Sequence, residues 1–206
     1  ADQTLDVFEQ ATGKLIKKVA LSGRPNNIAV AKDGRIVVAI AQDPGALDII
    51  DPATLTRKVS IQARGRLHNA YVTPDSQFAI SGSWRTNVFT VFDLQKEEVA
   101  WDLDVGKGLR PMTVETNPDG STKRIFAQLS FLNGFTVIDF AKHAVVETID
   151  LRGSSELVWN PTYAVDGDDD SVWIAAGPRH VLRIDPTTNE PSAIIDVGNV
   201  PVGLAL

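Results

Sequence analysis

Cysteine is missing from this 206-residue chain, which removes disulfides, thiolate metal sites and a cysteine nucleophile together. Histidine is scarce, with three residues, so a metal centre has few imidazoles to draw on. A basic excess is also lacking. The net charge of -6 and a pI near 5.0 argue against nucleic acid or an anionic membrane surface as a partner. No apolar run approaches the roughly 20 residues that a membrane-spanning helix requires, so membrane insertion is not expected. No segment holds a helical period of useful length, because Pro and Gly recur too often to leave room for one. The G-x-S-x-G elbow, the HExxH zinc motif, the Walker loop and the dinucleotide glycine fingerprint do not occur.

What the chain does have is repetition. Arg24-Pro25, Arg66-Leu67, Arg110-Pro111, Asn160-Pro161 and Val200-Pro201 start 42, 44, 50 and 40 residues apart. The first three pairs are each followed, eight residues after the second member, by Asp33, Asp75 and Asp119. A second series keeps the same period: Leu5-Asp6-Val7-Phe8-Glu9, Leu47-Asp48-Ile49-Ile50-Asp51, Phe89-Thr90-Val91-Phe92-Asp93, Phe135-Thr136-Val137-Ile138-Asp139 and Val181-Leu182-Arg183-Ile184-Asp185. Periods of about 40 to 50 residues built from strands point to propeller blades.

Within a unit the pattern predicts four short strands, exemplified by Ile28–Val30, Ile36–Ile40, Leu47–Ile50 and Arg57–Ile61. They are named A to D, from hub to rim. Asp33-Gly34, Asp75-Ser76 and Asp119-Gly120 suit tight A–B turns, where Asp and Gly tolerate positive φ and Asp can bond its own backbone. Asp51-Pro52-Ala53-Thr54 and Asp185-Pro186-Thr187-Thr188 suit type I turns between C and D. The expected fold class is all-β, a β-propeller of four-stranded blades with about five blades in the chain. A hydrophobic content of 43% is enough to fill the spaces between stacked sheets.

Arg24-Pro25-Asn26-Asn27-Ile28-Ala29-Val30 with Asp33-Gly34, and Asn69-Ala70-Tyr71-Val72-Thr73-Pro74-Asp75, resemble YVTN-type β-propeller repeats. The closing Ile194–Ala205 segment is similar to that family's linkage between blades, so the resemblance covers nearly the whole chain. It implies the architecture and a periplasmic or extracellular location. It leaves the activity open, since relatives include surface-layer proteins, lactonases, the haem d1 domain of nitrite reductases and amine dehydrogenase subunits.

The expected units are 1–23 (a C–D hairpin), 24–65, 66–109, 110–159, 160–199 and 200–206 (an A strand), in a single propeller domain. Five C–D hairpins against four complete A–B hairpins leave two arrangements. In one the ends share a blade of a five-bladed ring; in the other the chain is part of a larger propeller of about seven blades. The second is preferred, because repeat arrays must cap their ends. Ala1-Asp2-Gln3 just ahead of a strand fits a processed mature end.

In such a blade the D-to-A and B-to-C loops open on one face, the usual ligand side. Arg24, Arg66, Arg110 and Asn160 fall at the approaches to A, and Asp43, Trp84, Arg85, Asn133, Arg179 and His180 in the B–C loops. Asn26, His68, Met112 and Thr162, two residues further on from the approach residues, are expected at the channel mouth. Arginines in one register suit a carboxylate, phosphate or sulfate. The alternative is that each guanidinium ties neighbouring blades through backbone carbonyls or the acidic ends of C strands, and the repeat itself favours that alternative.

Trp84 beside Arg85 has the composition of a binding surface, whereas Trp173 is expected in the core. His68 and His180 could pair across the mouth but make a thin ligand set. The acidic run Asp166-Gly167-Asp168-Asp169-Asp170 lacks the alternate spacing of an EF-hand and is expected to be a solvated turn. For catalysis, His68, Asp43 and Glu156 are the candidates to handle water, with Arg66 or Arg110 polarising an ester oxygen. Resemblance places a histidine like His68 in haem d1 and metal-binding relatives, so a metal or haem d1-like cofactor is an alternative to the expectation of none.

The expectation is a non-enzymatic binding or scaffold propeller that presents one loop face to a small anionic ligand or a protein partner. The alternatives are a propeller enzyme of the lactonase or redox kind, and a structural surface-array module.

Overall fold

Residues 2–82, 85–106, 108–129, 134–150, 159–166, 171–177, 179–185, 187–188 and 190–199 are described by a computed structural model. Among them there are strands and turns and no helix. Strands β1 (Thr4–Phe8) and β2 (Leu15–Ala20) form a hairpin. Four sheets of four strands follow: β3 (Pro25–Val30), β4 (Ile36–Ile40), β5 (Ala46–Asp51) and β6 (Thr56–Gln62), then β7 (Tyr71–Val72), β8 (Phe78–Gly82), β9 (Val88–Asp93) and β10 (Glu98–Asp104). The third holds β11 (Leu109–Thr116), β12 (Thr122–Leu129), β13 (Gly134–Asp139) and β14 (Ala144–Asp150). The fourth holds β15 (Trp159–Asp166), β16 (Val172–Gly177), β17 (His180–Ile184) and β18 (Pro191–Asp196). In every sheet the strands lie side by side in chain order, an antiparallel meander.

The chain divides into two compact units, residues 1–83 with 88–102 and residues 84–87 with 103–206. In the first, the middle strands are apolar on both faces: Val37, Val38, Ala39 and Ile40 of β4 and Ala46, Leu47, Ile49 and Ile50 of β5 are all buried. Near-continuous apolar strands of this kind belong to sheets covered on both sides. One side of the β3–β6 sheet packs on Val19 and Leu21, and the other on Leu67, Ala70, Ala79, Phe92 and Leu94. The fourth strand of the first four-stranded sheet, β6, opens with exposed Arg57 and Lys58, which protects that edge from further pairing. The second unit repeats the scheme with Phe126, Phe135 and Val137 against Val172, Ile174, Leu182 and Ile184. There Trp173, expected in the core, is half-buried in β16.

The turns explain why the repeat survives in the sequence. Each of the first three A–B turns closes with an N–H three residues on: Gly34 donates to Ala31, Ser76 to Thr73 and Gly120 to Asn117. Gly34, Ser76 and Gly120 have φ of 86°, 60° and 84°, so the left-handed residue is the one after each aspartate, and at Ser76 it is not glycine. The C–D turns are one residue longer than the expected type I turn. Asp51 Oδ1 accepts from the Ala53 and Thr54 N–H groups, but it is Leu55 that donates to the Asp51 carbonyl, with φ of 51°. The same left-handed residue recurs at Gly13, Glu97 and His143. A side-chain acceptor four positions earlier sets the loop, so the αL residue need not be glycine.

Polar ties join sheet to sheet. Asp48, fully buried in β5, accepts from the Ser22 N–H and the Ser22 hydroxyl, both at 2.7 Å, with Arg57 at 3.7 Å. Arg35, beside the first A–B turn, pairs with Asp33 and donates to the backbone carbonyls of Ser76 and Leu94 in the next repeat. The Ser76 hydroxyl in turn accepts from the Lys32 N–H at 2.8 Å. In the second unit Glu115 is held by Lys123 and Arg124 across β11 and β12, and Arg124 lies over the Phe126 ring at 5.3 Å.

Two measurements test this scheme. Asp48→Ala leaves two donors of Ser22 unpaired in a buried seam and is expected to cost about 3 kcal/mol in urea unfolding; a loss below about 1 kcal/mol would show that Asp48 does not join the sheets. The second concerns pH. Arg35 lowers the pKa of Asp33, the Thr54 N–H that of Asp51, the Ser121 hydroxyl that of Asp119, Lys142 that of Asp139 and the Thr187 N–H that of Asp185. Burial pushes Asp93 and Glu115 upward, but the Lys96 and Gln95 N–H groups outweigh it for Asp93, and Arg124 and Lys123 for Glu115. Depressed carboxylates contribute stability that is complete above their unfolded pKa of about 4 and is lost as pH falls through the lower folded values. The urea midpoint should therefore stay level between about pH 7 and 5 and fall below about 4.

Candidate functional site

In the first unit, three loop segments meet at one end of the β3–β6 sheet: the approach to β3, the β4–β5 loop and the connection from β6 to β7. Their backbones are directly bonded. The Ala41 N–H donates to the Arg24 carbonyl at 2.8 Å, and the Ala41 carbonyl accepts from Arg66 Nη2 at 3.3 Å. Further along the same loop, the Gly45 N–H donates to the Gly65 carbonyl at 3.1 Å. Gly45 has no room for a side chain, since a Cβ there would lie 2.6 Å from the Leu67 nitrogen and 2.9 Å from the Gly65 oxygen. Close backbone approach at Gly45 is what brings Arg66 and His68 to the β4–β5 loop.

A second tie runs alongside. Asn26 Nδ2 donates to the His68 carbonyl at 2.6 Å, and the next residue, Asn27, accepts the Ala70 N–H on Oδ1 at 2.9 Å. The His68 and Asn69 N–H groups both point at the Gly82 carbonyl, at 2.9 and 3.3 Å, and the Ser81 hydroxyl donates to the Asn69 carbonyl. His68 is half-buried and its Nδ1 lies 2.6 Å from Asn69 Oδ1. Asn69 itself is buried, and its Nδ2 has no partner among the described residues.

The arginines of the register therefore have different settings. Arg66 is half-buried and spends its guanidinium on a backbone carbonyl of the preceding repeat, the structural role weighed for the register. Arg24 is exposed, and among the described residues its side chain makes no hydrogen bond or ion pair. Asp43 is exposed in the β4–β5 loop. A cleft of about 370 Å³ opens between β1 and β3, with Val38 at its base and Asp2, Asp6, Asn26 and Asn27 on its rim. The aspartates give that cleft the wrong sign for an anion.

In the second unit Arg110 lies in β11, one residue after its start at Leu109. Met112, expected at a channel mouth, is instead buried, opposite Ala127. Its thioether belongs to the apolar packing. Asn160 and Thr162 lie in β15. Arg85 is exposed in its loop. Arg179 is engaged bidentately by Asp196, Nε to Oδ1 at 2.9 Å and Nη2 to Oδ2 at 2.7 Å, and the guanidinium lowers the Asp196 pKa. His180, half-buried at the start of β17, has a buried Nδ1 without a partner among the described residues. Trp84, Asn133, Glu156 and residues 167–170 of the acidic turn lie outside the described residues, as does the expected A strand at 202–206. Among the described residues no three His, Asp or Glu side chains are grouped to hold a metal ion.

Sequence reasoning passed over Asn69 and Gly45. A signal for the first was present: Asn27 and Asn69 occupy the same register, 42 residues apart, as Arg24 and Arg66 do. Nothing in the sequence marks Gly45, whose role comes from a neighbour twenty residues away.

No protein-family model matches the chain, and no curated protein matches it. Among solved structures it is similar to hydrazine synthase of Kuenenia stuttgartiensis, with a TM-score of 0.78 and 19% sequence identity. The likeness covers 96% of this chain, which spans 62% of the length of that one. At this identity the similarity bears on the fold alone. Together with the repeated four-stranded antiparallel meanders, it gives the chain the all-β architecture of a β-propeller.

Proposed function

We propose that this chain is a binding propeller of the YVTN type, exported to the periplasm or beyond, that takes a small anionic ligand at the loop end of its first unit. The observation that carries this reading is the contrast between Arg24 and Arg66. Arg66 is committed to the Ala41 carbonyl, and the Ala41 N–H to the Arg24 carbonyl, so the backbone around Arg24 is pinned while its guanidinium stays exposed and unengaged among the described residues. A cation on a pinned backbone loses less freedom on binding than one on a loose loop, and its fork suits a carboxylate or phosphate. The binding reading is preferred to catalysis because the neighbouring polar groups of Asn26, Asn27 and Arg66 already serve the backbone.

The test is thermal unfolding with sulfate against chloride at matched ionic strength. Sulfate stabilises proteins generally by exclusion, so the comparison that matters is between variants. Arg24→Ala is expected to remove the part of the sulfate effect that saturates, while leaving stability without sulfate within about 0.5 kcal/mol. Arg66→Ala is expected to cost about 1 kcal/mol with or without the anion, because a backbone carbonyl loses its donor. A saturable sulfate effect that persists unchanged in Arg24→Ala would rule out Arg24 as the anchor.

A further inference from the structure

The two asparagines in one register do different things. Asn27 uses its amide oxygen to take the Ala70 N–H of the next repeat, a seam contact. Asn69, at the corresponding position, turns its amide oxygen to its own neighbour, with Oδ1 2.6 Å from His68 Nδ1. It does so although its Nδ2 is left buried and unpartnered, an arrangement that costs free energy. An acceptor at Nδ1 requires that nitrogen to carry a proton, so in the neutral ring it is Nε2 that holds the lone pair.

The rest of the setting fixes the ring's base. The His68 carbonyl is held by Asn26, its N–H by Gly82, and the Asn69 carbonyl by Ser81, all within the first unit. Nε2 makes no hydrogen bond among the described residues and is not among the buried unpartnered atoms. A ring oriented through Nδ1 by a buried amide, with Nε2 open, is a positioned hydrogen-bond acceptor.

We infer that His68 Nε2 is a ligand-recognition atom that accepts a hydrogen bond from a hydroxyl on the anionic ligand, so that the ligand class is a small hydroxy acid. Arg24 takes the anionic group, His68 takes the hydroxyl, and Asn69 is the positioning residue that holds the neutral ring in its Nδ1–H tautomer. This inference rests on the anion reading, because it uses the same loop end. It adds a neutral donor to what the ligand must carry. Selectivity of this kind arises because a site with a fixed acceptor rejects an analogue that leaves the acceptor unpaired.

The probes are malate and succinate, which differ by one hydroxyl, titrated calorimetrically into the whole chain. Malate is expected to bind roughly two- to tenfold more tightly than succinate, the range for one net hydrogen bond. His68→Phe should erase that preference while leaving succinate binding in place. His68→Gln, which puts an amide near the position of Nε2, should restore part of it, and also serves if the Phe variant does not fold. Equal binding of malate and succinate to the unaltered chain overturns the hydroxyl assignment and leaves the anion reading standing. Binding of neither acid overturns the hydroxy-acid assignment, and the sulfate comparison in Arg24→Ala then decides the anion reading by itself.

A readout independent of any ligand is the nitrogen NMR spectrum of the His68 ring. The expected form is the Nδ1–H tautomer, with Asn69→Ala moving it towards a mixture. A ring that carries its neutral proton on Nε2 in the unaltered chain overturns the proposal whatever the titrations give.

Discussion

A four-stranded sheet whose two middle strands are apolar on both faces cannot stand alone in water, and this constraint organises the molecule. In β4 and β5 nearly every residue is buried, so each face of that sheet needs a neighbour: Val19 and Leu21 on one side, Leu67, Ala79 and Phe92 on the other. Burial of such side chains contributes about 1.5 to 3 kcal/mol each, so sheet-on-sheet packing outweighs any single polar tie. Repetition follows from it, because a unit that cannot cover its own faces is stable only when another unit of the same shape lies beside it.

The polar ties add register to this packing. Apolar faces can slide, whereas a buried carboxylate with two donors has one good position. Asp48 against Ser22 fixes the first hairpin on the β3–β6 sheet, and Arg35 against Ser76 and Leu94 fixes that sheet on the next. Each contact spans from twenty-odd to nearly sixty residues of sequence, yet each joins neighbouring repeats. Where the repeats meet at the loop end, the same kind of tie pins the backbone around Arg24 and His68. The proposed recognition site is thus a by-product of how sheets are joined: side chains that finish the seam leave a few of their neighbours with nothing to do but face outward.

Much of this could be read from the residues in order. The A–B and C–D turns announce themselves because their chemistry is local, an aspartate accepting from backbone N–H groups two or three positions on. The extra residue in the C–D turn was not legible, since Leu55, Glu97 and His143 have no resemblance to the glycine at the same place in the first hairpin. Met112 shows a different limit. Position in the repeat put it beside Asn26 and His68, but an apolar side chain at that register goes into the packing while polar ones stay at the loop end.

Strand number, strand order and turn positions were determined by the sequence itself, through alternation of apolar residues and the local bonding of Asp and Gly, which act within a few residues. What each arginine and asparagine of the register does was decided only by the tertiary structure. Arg24 and Arg66 are the same residue in the same repeat position, as are Asn27 and Asn69, yet one of each pair serves the backbone of a neighbouring repeat and the other does not. That difference depends on which carbonyl or ring lies within about 3 Å after folding, and no periodicity along the chain carries that information.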